Sequence, residues 1–244
     1  MTATGRLAGR VAVITGASRG IGAETAKLFA AEGAHVVLLA RTVGGLEEVD
    51  DAIKSAGGSA TLVPCDLTEF DRIDNLGPPL YERFGKVDIF IGNAGMLGDM
   101  TPLGHYDDKR WHAVFDVNVH ANWRLIRTLD PLLKLSDAGR GVLVTSSAAH
   151  TARAFWGAYA VTKAALETLA RVWASEVANS TVRVNLLNPG ATRTSMRAEA
   201  YPGEDPTTLK TADMVATALL ELSVPGHMGN GELIDLSTPR RAAP

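Results

Sequence analysis

The chain has 244 residues, 46% of them apolar and 21% charged, and a net charge of -3. That length suits one continuous α/β core, and that balance excludes long disorder. The near-neutral charge leaves no electrostatic footprint for nucleic acid or an anionic membrane, so neither is expected as a partner.

Met1 to Arg10 lacks the apolar core of a secretory leader, and no apolar run approaches the roughly 18 residues of a membrane span. Val11 to Thr15 is a short apolar run that predicts a buried strand. Ile21 to Glu32 predicts a helix that stops at Gly33, and His35 to Ala40 a second strand. Leu46 to Ser55 predicts a helix closed by Gly57-Gly58, and Ala60 to Cys65 a third strand. Cys65 is the only cysteine; it reads as a small buried strand residue, and its solitude points to a reducing, cytoplasmic setting. A helical stretch broken at Gly77-Pro78-Pro79 leads to a fourth strand, Val87 to Ile91. A long helix is expected over Asp108 to Leu133, a fifth strand over Gly141 to Thr145, and a helix over Trp156 to Val177. Val182 to Leu187 predicts a sixth strand, Ala212 to Leu222 a last helix and Glu232 to Leu236 a last strand. The strands are continuous apolar runs that alternate with helices. That pattern predicts a parallel sheet covered on both faces, a single doubly wound, Rossmann-like domain over residues 1–244 with about seven strands. Gly98 to Gly104 and Ala200 to Thr207 read as surface loops.

The first strand runs into Thr15-Gly16-Ala17-Ser18-Arg19-Gly20-Ile21-Gly22. Glycines at a strand-to-helix junction allow a tight turn and a close backbone approach, and the helix start favours an anionic diphosphate. At the end of the second strand stand Ala40 and Arg41, where a carboxylate would suit the ribose hydroxyls of NAD. A guanidinium there suits a 2′-phosphate instead, with Arg19 as a second positive charge, so NADP(H) is expected over NAD(H). Arg41 as a solvated surface residue is the plain alternative.

Tyr159 and Lys163 lie four apart in a predicted helix and share a face. A free phenol titrates near 10 and is a poor base at neutral pH. An ammonium about 5 Å away would favour the phenolate by about 3 kcal/mol at an effective dielectric of 20, making Tyr159 a usable acid or base. A surface pair is the plain alternative, since the spacing alone is weak.

The ordered set Thr15-Gly16-x3-Gly20-x-Gly22, Asp66, Asn93-Ala94-Gly95, Asn118, a serine pair, Tyr159-x3-Lys163 and Asn188-Pro189-Gly190 resembles the short-chain dehydrogenase/reductase family from about Leu7 to Leu236. The resemblance implies an NADP(H)-dependent oxidoreductase that interconverts a carbonyl and a secondary alcohol. It implies that Tyr159 is the general acid and base, and that Lys163 tunes it and holds the nicotinamide ribose. A serine would bond the substrate oxygen, and Asn118 would hold a proton-relay water. Gly16, Ser18, Arg19, Gly20, Ile21 and Gly22 would cradle the cofactor. Asp66 with Leu67 would face the adenine, and Asn93, Ala94 and Gly95 would back the cofactor. Pro189, Gly190, Thr192 and Thr194 would position the carboxamide. Local roles compete with these: a helix residue for Asn118, a strand-end cap for Asp66, a helix N-cap for Thr194.

The chain departs from the family pattern at four places. Ser146 and Ser147 are adjacent; spacing to the tyrosine selects Ser146, while strand register and Ala148-Ala149 select Ser147, which is the expected catalytic serine. Gly92 replaces an asparagine and is expected to loosen the end of the fourth strand. Ser237-Thr238-Pro239-Arg240 stands where Gly-Gly is common, which puts the usual C-terminal subunit contacts in doubt. Gly77-Pro78-Pro79 breaks a helix that is usually continuous. The substrate pocket is expected from Met96 to Met100, Ala148 to Trp156 and Ser195 to Tyr201, for a small carbonyl or alcohol, with His150 and Arg153 able to meet a polar group. The family also implies a homodimer or homotetramer through the long helices. A catalytically inactive NADP-binding sensor of the same fold is the alternative from another class. An epimerase or dehydratase of the wider family fits poorly, because only about 50 residues follow Thr194.

Overall fold

A computed structural model describes residues 5–237. Residues 1–4 and Thr238-Pro239-Arg240 lie outside the described residues. Seven strands form one parallel sheet in the order β3-β2-β1-β4-β5-β6-β7. They are β1 (Val11–Thr15), β2 (His35–Ala40), β3 (Ser59–Pro64), β4 (Ile89–Gly92), β5 (Arg140–Val144), β6 (Arg183–Asn188) and β7 (Leu233–Asp235). All five residues of β1 and of β5 are buried, the expected consequence of a sheet covered on both faces.

Adjacent strand residues feed opposite cores. Ile14 packs with Phe29 of α1 (Gly20–Ala31), Leu46 of α2 (Val43–Ser55) and Leu219 of α10 (Ala212–Ser223). Val13 packs with Leu80 of α4 (Gly77–Phe84), Leu129 of α6 (Ala121–Leu133) and Trp173 of α8 (Gly157–Glu176) on the other face. The chain winds outward from β1 to β3 and returns to β4 on the far side of β1. The resulting switch point, at the C-terminal ends of β1 and β4, is where such sheets hold ligands.

Most expected elements are present within one to three residues of their predicted ends. The break at Gly77 is real: α3 (Phe70–Asp74) ends before it, and Pro78 and Pro79 sit in the first turn of α4, where a missing N–H is harmless. The expected helix over 108–133 has three parts, α5 (Asp108–Phe115), a π-helical turn (Asp116–His120) and α6. Such turns disturb the i→i−4 ladder and often mark functional sites; this one contains Asn118. Two short helices have no signal of periodicity, α7 (Ala148–Thr151) and α9 (Ser195–Ala200). Among the described residues, no helix is long and apolar enough to cross a membrane.

Candidate active site

The turn after β1 is built on backbone that only glycine tolerates. Gly16 and Gly20 have φ of +66° and +56°. A Cβ on Gly16 would lie 2.9 Å from Asn93 Nδ2, and one on Gly22 would lie 2.2 Å from Gly16 O. Gly22 therefore lets α1 close onto the turn, while Gly16, Ser18, Arg19, Gly20 and Ile21 line a cleft at the switch point.

Asn93 staples β4 to that turn. Its Nδ2 donates to Thr15 O at 2.9 Å, and its backbone N–H and that of Ala94 both donate to Thr15 Oγ1 at 3.0 Å. The expected loosening at Gly92 is absent. A Cβ there would meet Leu143 Cδ2 at 2.4 Å and Asn122 Oδ1 at 2.7 Å, so the neighbours fill the space that a side chain would need.

Arg41 also lines the cleft, and its Nη1 lies 3.7 Å from Asp66 Oδ2. Asp66 also accepts the Thr68 backbone N–H and hydroxyl, both at 2.9 Å. Burial pushes this carboxyl up, but the Thr68 bonds and Arg41 outweigh it and hold Asp66 below the usual range. Asp66 is thus both a local cap and, with Leu67, part of the cleft wall. The Arg41–Asp66 contact is loose and exposed, the kind of pair worth at most about 1 kcal/mol. Arg19 has no carboxylate partner among the described residues.

Tyr159 and Lys163 come from the buried face of α8. Lys163 is 3% exposed and its Nζ donates to Val144 O at 2.8 Å, 5.7 Å from the centre of the Tyr159 ring. Burial lowers the Lys163 pKa to about 8. Burial also raises that of Tyr159, with the Ser146 hydroxyl pulling the other way. The expected lowering of Tyr159 by Lys163 is therefore not what the protein alone presents. Removal from water acts on both groups, and the ammonium is turned to a strand-end carbonyl. Around the phenol stand Met196, whose Sδ is 3.9 Å from the Tyr159 hydroxyl, and Trp156, whose ring centre is 5.9 Å from the tyrosine's.

The same geometry separates the two adjacent serines, and it places Ser146, not the expected Ser147, in the cleft. Ser146 lines the cleft and is the hydroxyl that acts on Tyr159. Ser147 does neither. Its φ of −57° and ψ of −18° show that the chain has already left the extended state and is entering α7, so strand alternation no longer applies there.

Asn118 is fully buried and its side chain is committed. Oδ1 accepts Met96 N–H at 2.8 Å, while Nδ2 donates to Met96 O at 2.9 Å and to Thr162 Oγ1 at 3.0 Å. It ties the loop after β4 to α8, close behind Gly95. Pro189, Gly190, Thr192 and Thr194 line the cleft from the β6 side. Thr194 also caps α9, accepting Arg197 N–H at 3.2 Å. Of the expected pocket, Met96, Leu97, Gly98, Trp156 and Ser195 to Ala200 (Ala198 excepted) reach the cleft, and between Ala148 and Ala154 nothing does. Arg110, paired with Asp99 at 2.9 Å, and Thr145 also line the cleft and had no sequence signal of their own. Tyr201, the last residue of the expected pocket, does not line the cleft; it packs on Trp156 and under the Arg197 guanidinium, 3.8 Å from its ring centre.

With this geometry in place, comparisons with known proteins are specific. The short chain dehydrogenase family model matches residues 10–205. The uncharacterized oxidoreductase YciK of Escherichia coli (strain K12) is 37% identical over 239 residues, covering 95% of this chain and 93% of the relative. A solved short chain dehydrogenase from Salmonella enterica serovar Typhi superposes with a TM-score of 0.91 at 37% identity, over 96% of this chain and 98% of the other. A structure from Escherichia coli CFT073 complexed with NADPH gives a TM-score of 0.89 at 38% identity, over 96% and 98%.

Proposed function

We propose, from the premise that this chain belongs to the short chain dehydrogenase family of oxidoreductases, that it is an NADP(H)-dependent enzyme interconverting a carbonyl and a secondary alcohol. The observation that carries the reading is the convergence of Ser146, Tyr159 and Lys163 in one cleft with the glycine cradle.

The chain's residues fit NADP(H). The cradle has no room for side chains at Gly16 and Gly22. Arg19, free of carboxylates, and Arg41, only loosely engaged with Asp66, offer two guanidinium groups where a 2′-phosphate would sit, and that favours NADP(H) over NAD(H). The NADPH-bound relative supports the same choice. Ser18, Ile21, Leu67, Asn93, Ala94 and Gly95 would form the walls, and Pro189, Gly190, Thr192 and Thr194 would hold the carboxamide. The cofactor supplies the hydride when bound.

In reduction, Tyr159 gives its phenolic proton to the substrate oxygen and Ser146 donates a hydrogen bond to the same oxygen; in oxidation Tyr159 takes the proton back. Burial makes the phenol a willing proton holder, and the nearby Lys163 ammonium offsets the phenolate that forms. Asn118 fixes Met96 and α8 around this point and would stand beside a relay water. The reading goes with a small carbonyl or alcohol substrate, a cytoplasmic protein, and a homodimer or homotetramer through the α6–α8 face, where Trp123 and Val172 are exposed.

The test is a panel of aldehydes, ketones and secondary alcohols with NADPH, NADP, NADH and NAD. Turnover with the phosphorylated cofactor is expected, and Arg41→Ala is expected to weaken NADPH affinity about tenfold or more while sparing NADH. Tight NADPH binding with no turnover of any class would instead support a sensor.

A further inference from the structure

Glu167 is a buried carboxylate to which the proton chemistry gives no part. It is 1% exposed, four residues beyond Lys163 and eight beyond Tyr159 on α8, so all three share one helix face. Its Oε1 accepts the Thr145 hydroxyl at 2.9 Å and lies 3.0 Å from His150 Nε2. Its Oε2 accepts from Arg171 Nη2 at 3.0 Å. A buried carboxylate is costly unless several partners compensate it, whereas Leu166 and Ala170 on the same helix bury without partners.

Those partners bracket the serine. Thr145 precedes Ser146, and His150 lies in α7, which follows it. Between them, Ser146 Oγ accepts Ala148 N–H at 3.2 Å and Ser146 O accepts Ala149 N–H at 3.0 Å. Lys163 holds Val144 O, Glu167 holds the Thr145 side chain, and Ser146 is the next residue, opposite Tyr159. Ser146 lies beyond the end of β5, so no strand pairing aims it.

We propose that Glu167 is a positioning residue which, by holding Thr145 and His150 on either side of Ser146, fixes the Ser146 hydroxyl against the Tyr159 phenol. The proposal rests on the reading that Ser146 and Tyr159 meet the substrate oxygen.

The test uses Thr145→Val, Thr145→Ser and Glu167→Gln, each alone and combined with Ser146→Ala. One readout needs no substrate: with 13C at the phenol carbon of the four tyrosines, Tyr159 is assigned by its loss in Tyr159→Phe and its titration followed. Ser146→Ala is expected to move the Tyr159 midpoint up. Thr145→Val should move it the same way but add nothing once Ser146 is gone, and Thr145→Ser should restore it. On the best carbonyl of the panel, Thr145→Val should lower kcat about tenfold with KM for NADPH unchanged, again only while Ser146 is present. The proposal is overturned if Thr145→Val and Glu167→Gln leave midpoint and kcat at wild-type values, or lower kcat by the same factor with and without Ser146. If Ser146→Ala and Tyr159→Phe themselves leave turnover intact, the underlying reading fails, independently of Glu167. Should Glu167→Gln fail to fold, Thr145→Val breaks the same bond and decides alone.

Discussion

Two buried charges at opposite ends of the sheet, Asp88 and Lys163, are treated in opposite ways. At the N-terminal end Asp88 is wholly buried and fully answered: Arg10 donates to it at 2.9 Å, Lys86 at 2.8 Å, Ser136 at 2.5 Å, and the Val11 N–H at 2.9 Å. Burial pushes its carboxyl up, yet these partners outweigh that and hold it below the usual range. At the C-terminal end Lys163 is nearly as buried and, among the described residues, has a single carbonyl and no carboxylate. Its pKa falls from 10.5 to about 8 for that reason. A charge that only holds a fold together is surrounded by compensation. A charge left short of it, beside a tyrosine in a cleft, is available to something that enters the cleft.

The comparison can be broken from either side. Asp88→Ala leaves the Val11 N–H and the Ser136 hydroxyl without their acceptor and removes one partner of Arg10 and Lys86. It is expected to destabilise the fold by about 3–5 kcal/mol in urea titrations, while the folded fraction keeps wild-type NADPH affinity. Loss of NADPH binding in the folded fraction would show that the two ends are not separate. Lys163→Met should do the reverse. Because folding lowers the lysine's pKa, the unfolded chain binds the extra proton between about pH 8 and 10.5, and stability rises with pH across that window. The burial penalty is complete at pH 7, so the methionine is expected to raise stability there by about 3 kcal/mol or somewhat less, while removing turnover. The gain should shrink to nothing above about pH 10.5. A loss of stability at pH 7 would mean that the Val144 bond outweighs burial.

The fold was legible because the strands are mostly apolar and the helices between them are punctuated by glycine and proline. Gly77-Pro78-Pro79 marked the break between α3 and α4 correctly, since proline chemistry is local. Helix α9 was not legible, because six residues carry no period; Thr194 as an N-cap was its one trace. The cleft was legible wherever backbone chemistry dictated residue type, as at Gly16, Gly20 and Gly22. Side-chain direction was not. Ser146 and Ser147 differ only in where the chain leaves the strand, which is a three-dimensional fact. Gly92 looked like a missing side chain; it is a place where Leu143 and Asn122 leave no room for one. The electrostatics of Tyr159 also escaped the sequence. Spacing on a helix gives the distance to Lys163 but says nothing about how deeply both groups are buried.

The central claim is that the cleft beside the under-compensated Lys163 does proton chemistry through Tyr159. The direct measurement is NADPH-dependent turnover of the best carbonyl by wild type and Tyr159→Phe, with NADPH affinity measured on both. A fall in kcat of about a thousandfold or more, with affinity within about twofold, is the expected result. Full turnover by Tyr159→Phe would contradict the account.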